Sequence, residues 1–480
     1  MAPVPIYPNS PKDALHSMYV GKTLHEALTP AAVMDVAAVR RNCGRMLQAT
    51  RQLGLGWRAH VKTHKALEIT RLQVGDKVDE PVNLIVSTIA ELSFLLPLLK
   101  EYRSQGRSVN VLHGLPVAPR QMGQMISIAE ALGPDSISFL VDDPAQIPVA
   151  SSFNKANGVK PHLHVKIDMG GRRAGVIVNT PRFTEVVDAA LEAHKQGHVI
   201  LRGVYSHAGH SYAGDSRVAA MKMLSAEIEA MLEAATAIVA KAAEADVSSL
   251  PKLCISAGAS PTALSVQNLL ENEGMAADDK TPELKQQAGL LRTLFDDVKA
   301  KGHEIEIHAG VYPTLDLQQL AAHSISSSHL SWGDIAFTLL AEVHSFYPGR
   351  GENGRAEALI GAGVLALGRE TCKAYEGLAL LTPWNRPGAK MPDCDVEDVR
   401  GWMVGRFSQE HGILTWREGK RGFVADDTEQ DALQCGQLVR LWPNHACITS
   451  GQFGFYIVVD GDRQGKEDEI VDIWVRATGW

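Results

Sequence analysis

No stretch of this chain is long, apolar and charge-free enough to be a membrane-spanning helix, so a helical membrane protein is excluded. The start, MAPVPIYPNSPKDALH, lacks a basic segment leading into an apolar one, and the closing WVRATGW carries no familiar sorting address. A cytoplasmic location is therefore expected. Positive charge is also short. Lys and Arg number 47 against 55 Asp and Glu, a formal charge of −8, whereas a nucleic-acid binder shows a basic face. Cysteine is sparse, with Cys43, Cys254, Cys372, Cys394, Cys435 and Cys447 scattered over 480 residues. That is no disulfide framework. It suits a reducing compartment, in which one or two cysteines are free to ligate metal and the rest serve as small buried hydrophobes. Internal repeats and low-complexity tracts are missing, and no GxGxxG follows a strand and opens a helix. An open dinucleotide-binding sheet is thereby disfavoured.

What is present is globular in kind, 45% hydrophobic and 21% charged. The length exceeds one compact core, so a large domain with a smaller companion is the natural arrangement. Between about 57 and 312, β-rich runs alternate with segments of helical spacing. The runs are WRAHVK, VNLIVST, SVNVLHG, SISFLVDD, HLHVKID, LRGVYSH, KLCISAG and EIEIHAG. Eight strands with helical connections pair in parallel and close most naturally as a TIM-like (β/α)8 barrel. Past 330 the texture changes to strand-like runs separated by Gly, Pro and Asp, among them DIAFTLLAEVHSFY, AEALIGAGVLALG, HGILTWR and GFYIVVDG. The reading is an N-terminal segment over 1–30, a barrel over 31–325 and a C-terminal β domain over 326–480. The stretch 265–300 reads as a helical, charge-laced connection with a solvated loop inside it.

Barrels of this kind hold ligands at the C-terminal ends of their strands. Polar residues gather there: Lys62, Thr63 and His64 after the first run, Asp142 and Asp143 after the fourth, and Asp168 with DMGGRRAG after the fifth. His207, His210 and Tyr212 follow the sixth, SAGASPT the seventh, and HAGVYPTLD the eighth. Small residues after the last two strands let backbone N–H groups approach a phosphate. A lysine at the inner end of the first strand, facing such a site, suits Schiff-base chemistry once burial lowers its pKa. On spacing alone, a structural pairing of Lys62 with a carboxylate such as Asp168 is the simpler reading. Lys65 would fall at a helix start, in solvent. In LWPNHACITSG, His445 and Cys447 at i, i+2 on an extended strand point to one side, and imidazole with thiolate is zinc chemistry. A buried His beside a buried Cys is the commoner origin of such a pair. The metal reading gains weight if the β domain covers the barrel mouth.

YVGKTLHEALTPAAVMDV, HVKTHK, VSTIAEL, KIDMGGRRAGV, HAGHSY, SAGASPT, EIHAGVYPTLD, FSQEHG, PNHACIT and DIWVRATGW, in this order, resemble the eukaryotic D-serine dehydratase and D-threonine aldolase family. That family has the alanine racemase fold, a pyridoxal-phosphate barrel followed by a β domain. The resemblance implies that Lys62 is the Schiff-base lysine. It places Arg173, His207, Tyr212, Ser256, Gly258, Ala259, Gly310 and Tyr312 around pyridoxal 5'-phosphate, and His445 and Cys447 on Zn2+. His207 and His210 also admit a plain reading as hydrogen-bonded polar groups. The implied reaction is β-elimination of water from D-serine, or a related β-hydroxy-D-amino acid such as D-threonine or 3-hydroxyaspartate, giving a 2-oxo acid and ammonia. The alternatives are D-threonine aldolase cleavage to glycine and acetaldehyde, and a non-catalytic pyridoxal-phosphate carrier. The thiolate at 447 leans toward zinc and dehydration. The fold type further implies a homodimer, one subunit's β domain completing the other's site. The stretches 265–300 and 376–435 are longer than a minimal member needs.

Overall fold

The computed structural model describes residues 7–248, 250–270, 281–391, 398–419, 421–422 and 432–480. Cys394 lies outside the described residues, as do 271–280, 392–397 and 423–431 within the two long stretches singled out above.

The first strand, β1 (Ala31–Asp35), departs from the expected boundary. Instead of entering the barrel it pairs antiparallel with β10 (Phe337–Tyr347) and parallel with β17 (Phe455–Val459), in the middle of the second domain's sheet. The reason is local. Ala31, Ala32, Val33 and Met34 are all buried, so the run is apolar on both faces and needs cover from both. The Asp35 carboxylate then accepts Ala37 N–H at 2.9 Å, capping the helix Val36–Gln52 and turning the chain into the barrel.

All eight expected runs form strands: β2 (Gly56–His60), β3 (Val82–Val86), β4 (Val109–Pro116), β5 (Ile137–Val141), β6 (His162–Lys166), β7 (Ile200–Tyr205), β8 (Cys254–Ala257) and β9 (Glu304–Ala309). They pair in parallel in sequence order, and β2 closes on β9 through Gly56↔Glu306 and Ala59↔Ala309. The interior is layered. Ile85, Leu112, Leu140 and Tyr205 form an apolar cluster inside the barrel. Also within it runs a buried polar belt. Arg58 Nε meets Glu306 Oε1 at 2.6 Å, Arg58 Nη1 and Ser138 Oγ each donate to Asn110 Oδ1 at 2.8 Å, and Ser256 Oγ donates to Glu306 at 2.8 Å. Each polar group in this belt has a partner, the condition under which buried charge is tolerated.

The β domain comprises β10, β11 (Glu357–Ile360), β12 (Ala379–Leu381), β13 (Val399–Phe407), β14 (Gly412–Arg417), β15 (Arg421–Gly422), β16 (Leu438–Pro443), β17 and β18 (Ile470–Val475). A register shift between Val343 and Ser345 lets β10 pair with β16 along its first half and β11 along its second. Pairing therefore runs round a ring, β10–β11–β14–β13–β12–β16, filled by Leu339, Val343, Trp402, Leu414 and Leu441. Of the run AEALIGAGVLALG only Glu357–Ile360 is extended; Val364–Leu367 turns helical.

The β domain grips the turn that follows β2. Tyr456 Oη donates to His64 O at 2.9 Å, Ser450 Oγ to Thr63 O at 2.7 Å, and Ala477 N–H to Lys65 O at 2.9 Å. Three consecutive carbonyls of one barrel turn are thus held by a domain more than 380 residues further along the chain.

Candidate active site

At the C-terminal mouth of the barrel lies a cavity of about 630 Å³, of the size that small-ligand sites take. Barrel residues Lys62, Arg173, His207 and Tyr212 line one side, and β-domain residues Glu370, Cys372, Lys373, His445 and Cys447 the other. Two segments far apart in sequence therefore meet here, in one chain.

Lys62 stands in the turn just after β2. Its N–H lies 3.3 Å from the His60 Nδ1, and the turn closes through Lys65 N–H to Val61 O at 2.8 Å. The expected structural partner is engaged elsewhere: Asp168 Oδ1 accepts Gly170 N–H at 2.9 Å and Arg172 N–H at 3.0 Å, capping its own turn. Gly310 gives the Lys62 stem its room, since a Cβ there would stand 3.3 Å from Lys62 Cε and 3.4 Å from His60 Cβ. Lys65, expected in solvent, instead adopts φ +50° and pairs with the buried Glu91 at 3.0 Å. The left-handed turn directs its side chain to Glu91, while Lys62 lines the cavity.

The His207 Nδ1 lies 2.8 Å from Gly258 O, which fixes the ring between the β7 and β8 exits and leaves Nε2 for the cavity. Burial, then the positive charges of Lys62 and Arg173, hold its imidazole down to about 3, so it is neutral. His210 is exposed and sits outside the cavity lining, beside Gly171. Tyr212 lies in the short helical turn Gly209–Ala213 with its hydroxyl toward Ser260 and Gln319; burial raises its pKa.

The turns after β8 and β9 are tied to each other. Val311 N–H donates to Ser260 Oγ at 3.2 Å and Ala259 N–H to Thr262 Oγ1 at 2.8 Å. These two amides are engaged by the protein itself. Gly258 (φ +148°) runs against β9, where a Cβ would fall 2.1 Å from His308 O, so only glycine fits. Ser256 and Tyr312 do not reach the cavity. Ser256 belongs to the buried belt, with its Oγ also 3.1 Å from His308 Nδ1. Tyr312 packs edge-on to Trp57 at 5.2 Å and turns its hydroxyl to Cys43 and Gln73.

His445 and Cys447 reach the cavity by a different route from the one expected. The strand β16 ends at Pro443; His445 is the N-cap of the helix Ala446–Ser450 and Cys447 lies in its first turn. The helix start, not strand alternation, brings the two side chains together on the cavity wall. Burial opposes the His445 imidazolium, but Cys447, Asp316 and Glu370 together raise its pKa to about 9. Burial likewise opposes the Cys447 thiolate, yet His445, Lys62 and Thr63, whose Oγ1 lies 3.0 Å from Sγ, bring the thiol below its ordinary value. Thiolate character beside an imidazole is the donor chemistry a zinc site requires. Among the described residues no third His, Cys, Asp or Glu completes a metal-binding cluster, so two protein donors would leave the remaining positions open. Asp316 braces this corner, accepting Ala446 N–H at 2.8 Å and Gln319 N–H at 2.9 Å. Glu370 Oε2 stands 3.5 Å from His445 Nδ1.

The barrel segment matches the family model described as alanine racemase, N-terminal domain, over residues 34–276, and the β domain matches a putative serine dehydratase domain over 336–459. The chain is 37% identical to the D-serine dehydratase of Schizosaccharomyces pombe over 478 residues, covering 99% of this chain and 97% of that one. The chain belongs to the D-serine dehydratase family. It is also 28% identical to the D-serine dehydratase of Saccharomyces cerevisiae, covering 97% and 99% of the two chains. The solved D-threo-3-hydroxyaspartate dehydratase of Delftia sp. HT23 superimposes with a TM-score of 0.66 at 25% identity, over 95% of this chain and all of that one. Membership makes the chain an enzyme, a lyase of alanine racemase-like fold.

Several residues that matter here carried a faint signal or none. Glu227 interrupts the buried apolar stripe of the helix Arg217–Glu244 (Leu224, Ile228, Met231), which marks it as an inward carboxylate. Its Oε1 accepts Ala208 N–H at 3.0 Å, and burial pushes its carboxyl up to about 7. Lys166 shares with His162 and His164 one face of β6; burial and then Arg173 lower its amine to about 8, and it sits 4.8 Å over the Tyr205 ring. Glu370, Cys372 and Lys373 follow an irregular turn, and nothing in the spacing placed them opposite Lys62.

Proposed function

We propose that the protein is a pyridoxal-phosphate- and zinc-dependent dehydratase that removes water from D-serine, and from related β-hydroxy-D-amino acids, to give a 2-oxo acid and ammonia. The observation that carries the reading is the meeting of Lys62 with the His445–Cys447 pair in one cavity. Supporting it, two relatives at 37% and 28% identity are D-serine dehydratases aligned over nearly their whole length.

The residues present fit both groups. Lys62 has an unobstructed stem beside Gly310, and Arg173, His207 and Tyr212, which line the same cavity, would hold the cofactor. Bound there, pyridoxal phosphate supplies an electron sink for charge developing at Cα. His445 and Cys447 would hold zinc, whose chemistry is Lewis-acid activation of the substrate hydroxyl as a leaving group. The chain's own work is proton transfer and orientation. The Lys62 Nζ takes the proton from Cα, within reach of a substrate held in the cavity. Neutral His207, pinned by Gly258 O, presents a fixed uncharged face and adds no competing acid. The substrate loses its Cα proton and β-hydroxyl as water; the released 2-aminoacrylate takes up water to give pyruvate and ammonia.

Arg173 is exposed on the single chain, and the proposal includes a homodimer in which a second subunit covers this edge. The five described cysteines are all unpaired, which supports a reducing, cytoplasmic setting. Among the described residues no helix is long and apolar enough to cross a membrane.

The test is product identity from D-serine and D-threonine with pyridoxal phosphate and zinc supplied. Pyruvate and 2-oxobutyrate with ammonia are expected. Glycine and acetaldehyde from D-threonine would instead make the Cα–Cβ bond the target, and cofactor binding without turnover would make the chain a carrier.

A further inference from the structure

A second cavity, of about 760 Å³, opens at the opposite, N-terminal mouth of the barrel. Its charge is unusual for a chain of net −8. Five Arg and Lys residues line it against three carboxylates, and each of those carboxylates is already engaged. Glu306 is bound by Arg58 at 2.6 Å, Glu304 by Arg202 at 2.5 Å, and Asp135 by His162 at 3.1 Å. Arg103, Lys252 and Lys299 are left over. Arg103 reaches only the carbonyl of Pro134 and Lys299 only that of Leu53, at 3.2 Å. Lys252 has no side-chain partner among the described residues.

The walls also hold nitrogen atoms that are buried and unsatisfied. His164 is 1% exposed, and neither of its ring nitrogens has a partner among the described residues; the same holds for Arg103 Nε and His303 Nδ1. Buried polar atoms left unmatched are costly, and four such nitrogens in one cavity point to something that binds there. Surplus cations, together with the unmet Arg103 Nε–H and the one N–H that the neutral His164 ring carries, call for an acceptor with several oxygens and negative charge.

We propose that this cavity is a binding site for a small multivalent oxyanion of the phosphate class, held by Arg103, Lys252 and Lys299 with His164 at its floor. The site is separate from the Lys62 cavity and does not depend on the proposed reaction.

The experiment is calorimetric titration of inorganic phosphate into the pyridoxal-phosphate-loaded enzyme after borohydride reduction, which keeps the cofactor's own phosphate in place at the other mouth. Ionic strength is held constant with chloride. The expected result is saturable binding that weakens about tenfold in Lys252→Gln, the loss of one charged hydrogen bond, and is retained in Lys252→Arg. His164→Phe, which fills the floor without a donor, should weaken it as well. Malonate titrated in the same way separates phosphate from carboxylate recognition, and tighter binding of malonate would overturn the assigned class. Absence of saturable heat would mean that water alone satisfies these groups. Phosphate binding unchanged in both Lys252→Gln and His164→Phe would place the anion elsewhere. Either result rejects the site.

Discussion

The two mouths of the barrel are made by the same eight strands and are unlike in every other respect. At the N-terminal mouth Glu306, Glu304 and Asp135 are matched by Arg58, Arg202 and His162, and the β domain is absent from its lining. At the C-terminal mouth an amine, a neutral imidazole and a thiol of lowered pKa face one cavity, and nearly half the lining comes from the β domain. The belt of Arg58, Asn110, Ser256 and Glu306 forms the inner wall of the N-terminal mouth and separates it from the C-terminal one. At one end the carboxylates are matched by cations from within the barrel; at the other, side chains from two domains must be brought together before one cavity exists. The largest test of that contrast is Lys62→Ala, which should lower pyruvate formation from D-serine by about a thousandfold or more, the scale of losing a positioned proton-transfer group. Near-normal turnover would return Lys62 to the class of structural lysines. Next comes Cys447→Ala. Zinc affinity, measured by competition with a chromophoric chelator, should fall by at least about tenfold, the level reached even when only supporting groups around a metal are lost. Unchanged affinity would reduce the β domain to a cover.

The same contrast explains what could be read from the sequence. The barrel was legible because each strand is a short β-rich run between helices, a pattern that parallel closure requires. Lys62, Arg173, His207 and Tyr212 were legible because residues at strand ends inherit their position from the barrel. His445 and Cys447 were found for a partly mistaken reason, since a helix start brings them together, not an extended strand. Glu370 and Cys372 escaped because an irregular segment carries no period that says where it points. The barrel boundary expected at residue 31 takes in β1, whose doubly apolar run instead needs the centre of the second domain's sheet. Ser256 and Tyr312 each lie in a matching motif; in the fold Ser256 joins the belt and Tyr312 packs against Trp57.

The belt marks where one mouth ends and the other begins, and Glu306→Ala tests it. Removing this carboxylate strands Arg58, 5% exposed, without its partner. A loss of about 3–5 kcal/mol in urea unfolding is expected, the range for one half of a buried ion pair. If turnover vanished while stability held, Glu306 would belong to the catalytic mouth through Ser256 and His308.

The smallest effect is a pH dependence centred on Glu227, the buried carboxylate behind the β7 and β8 exits. Burial raises its pKa from the ordinary 4.5 to about 7 in the folded state. Between those values the unfolded chain has released the proton and the folded chain retains it, so unfolding releases protons and stability falls as pH rises. The loss begins near pH 4.5 and levels off above about 7. Integrated over that window it amounts to roughly 3 kcal/mol. Glu227→Gln cannot ionise and should lack this slope. Urea unfolding of the two proteins side by side at pH 5 and pH 8 isolates the term, because every other titrating group is common to both. The wild type should lose ground relative to the variant between the two pH values. Parallel curves would mean that Glu227 is ionised throughout, held by the N–H group of Ala208 and the charge of Lys166 against the cost of its burial.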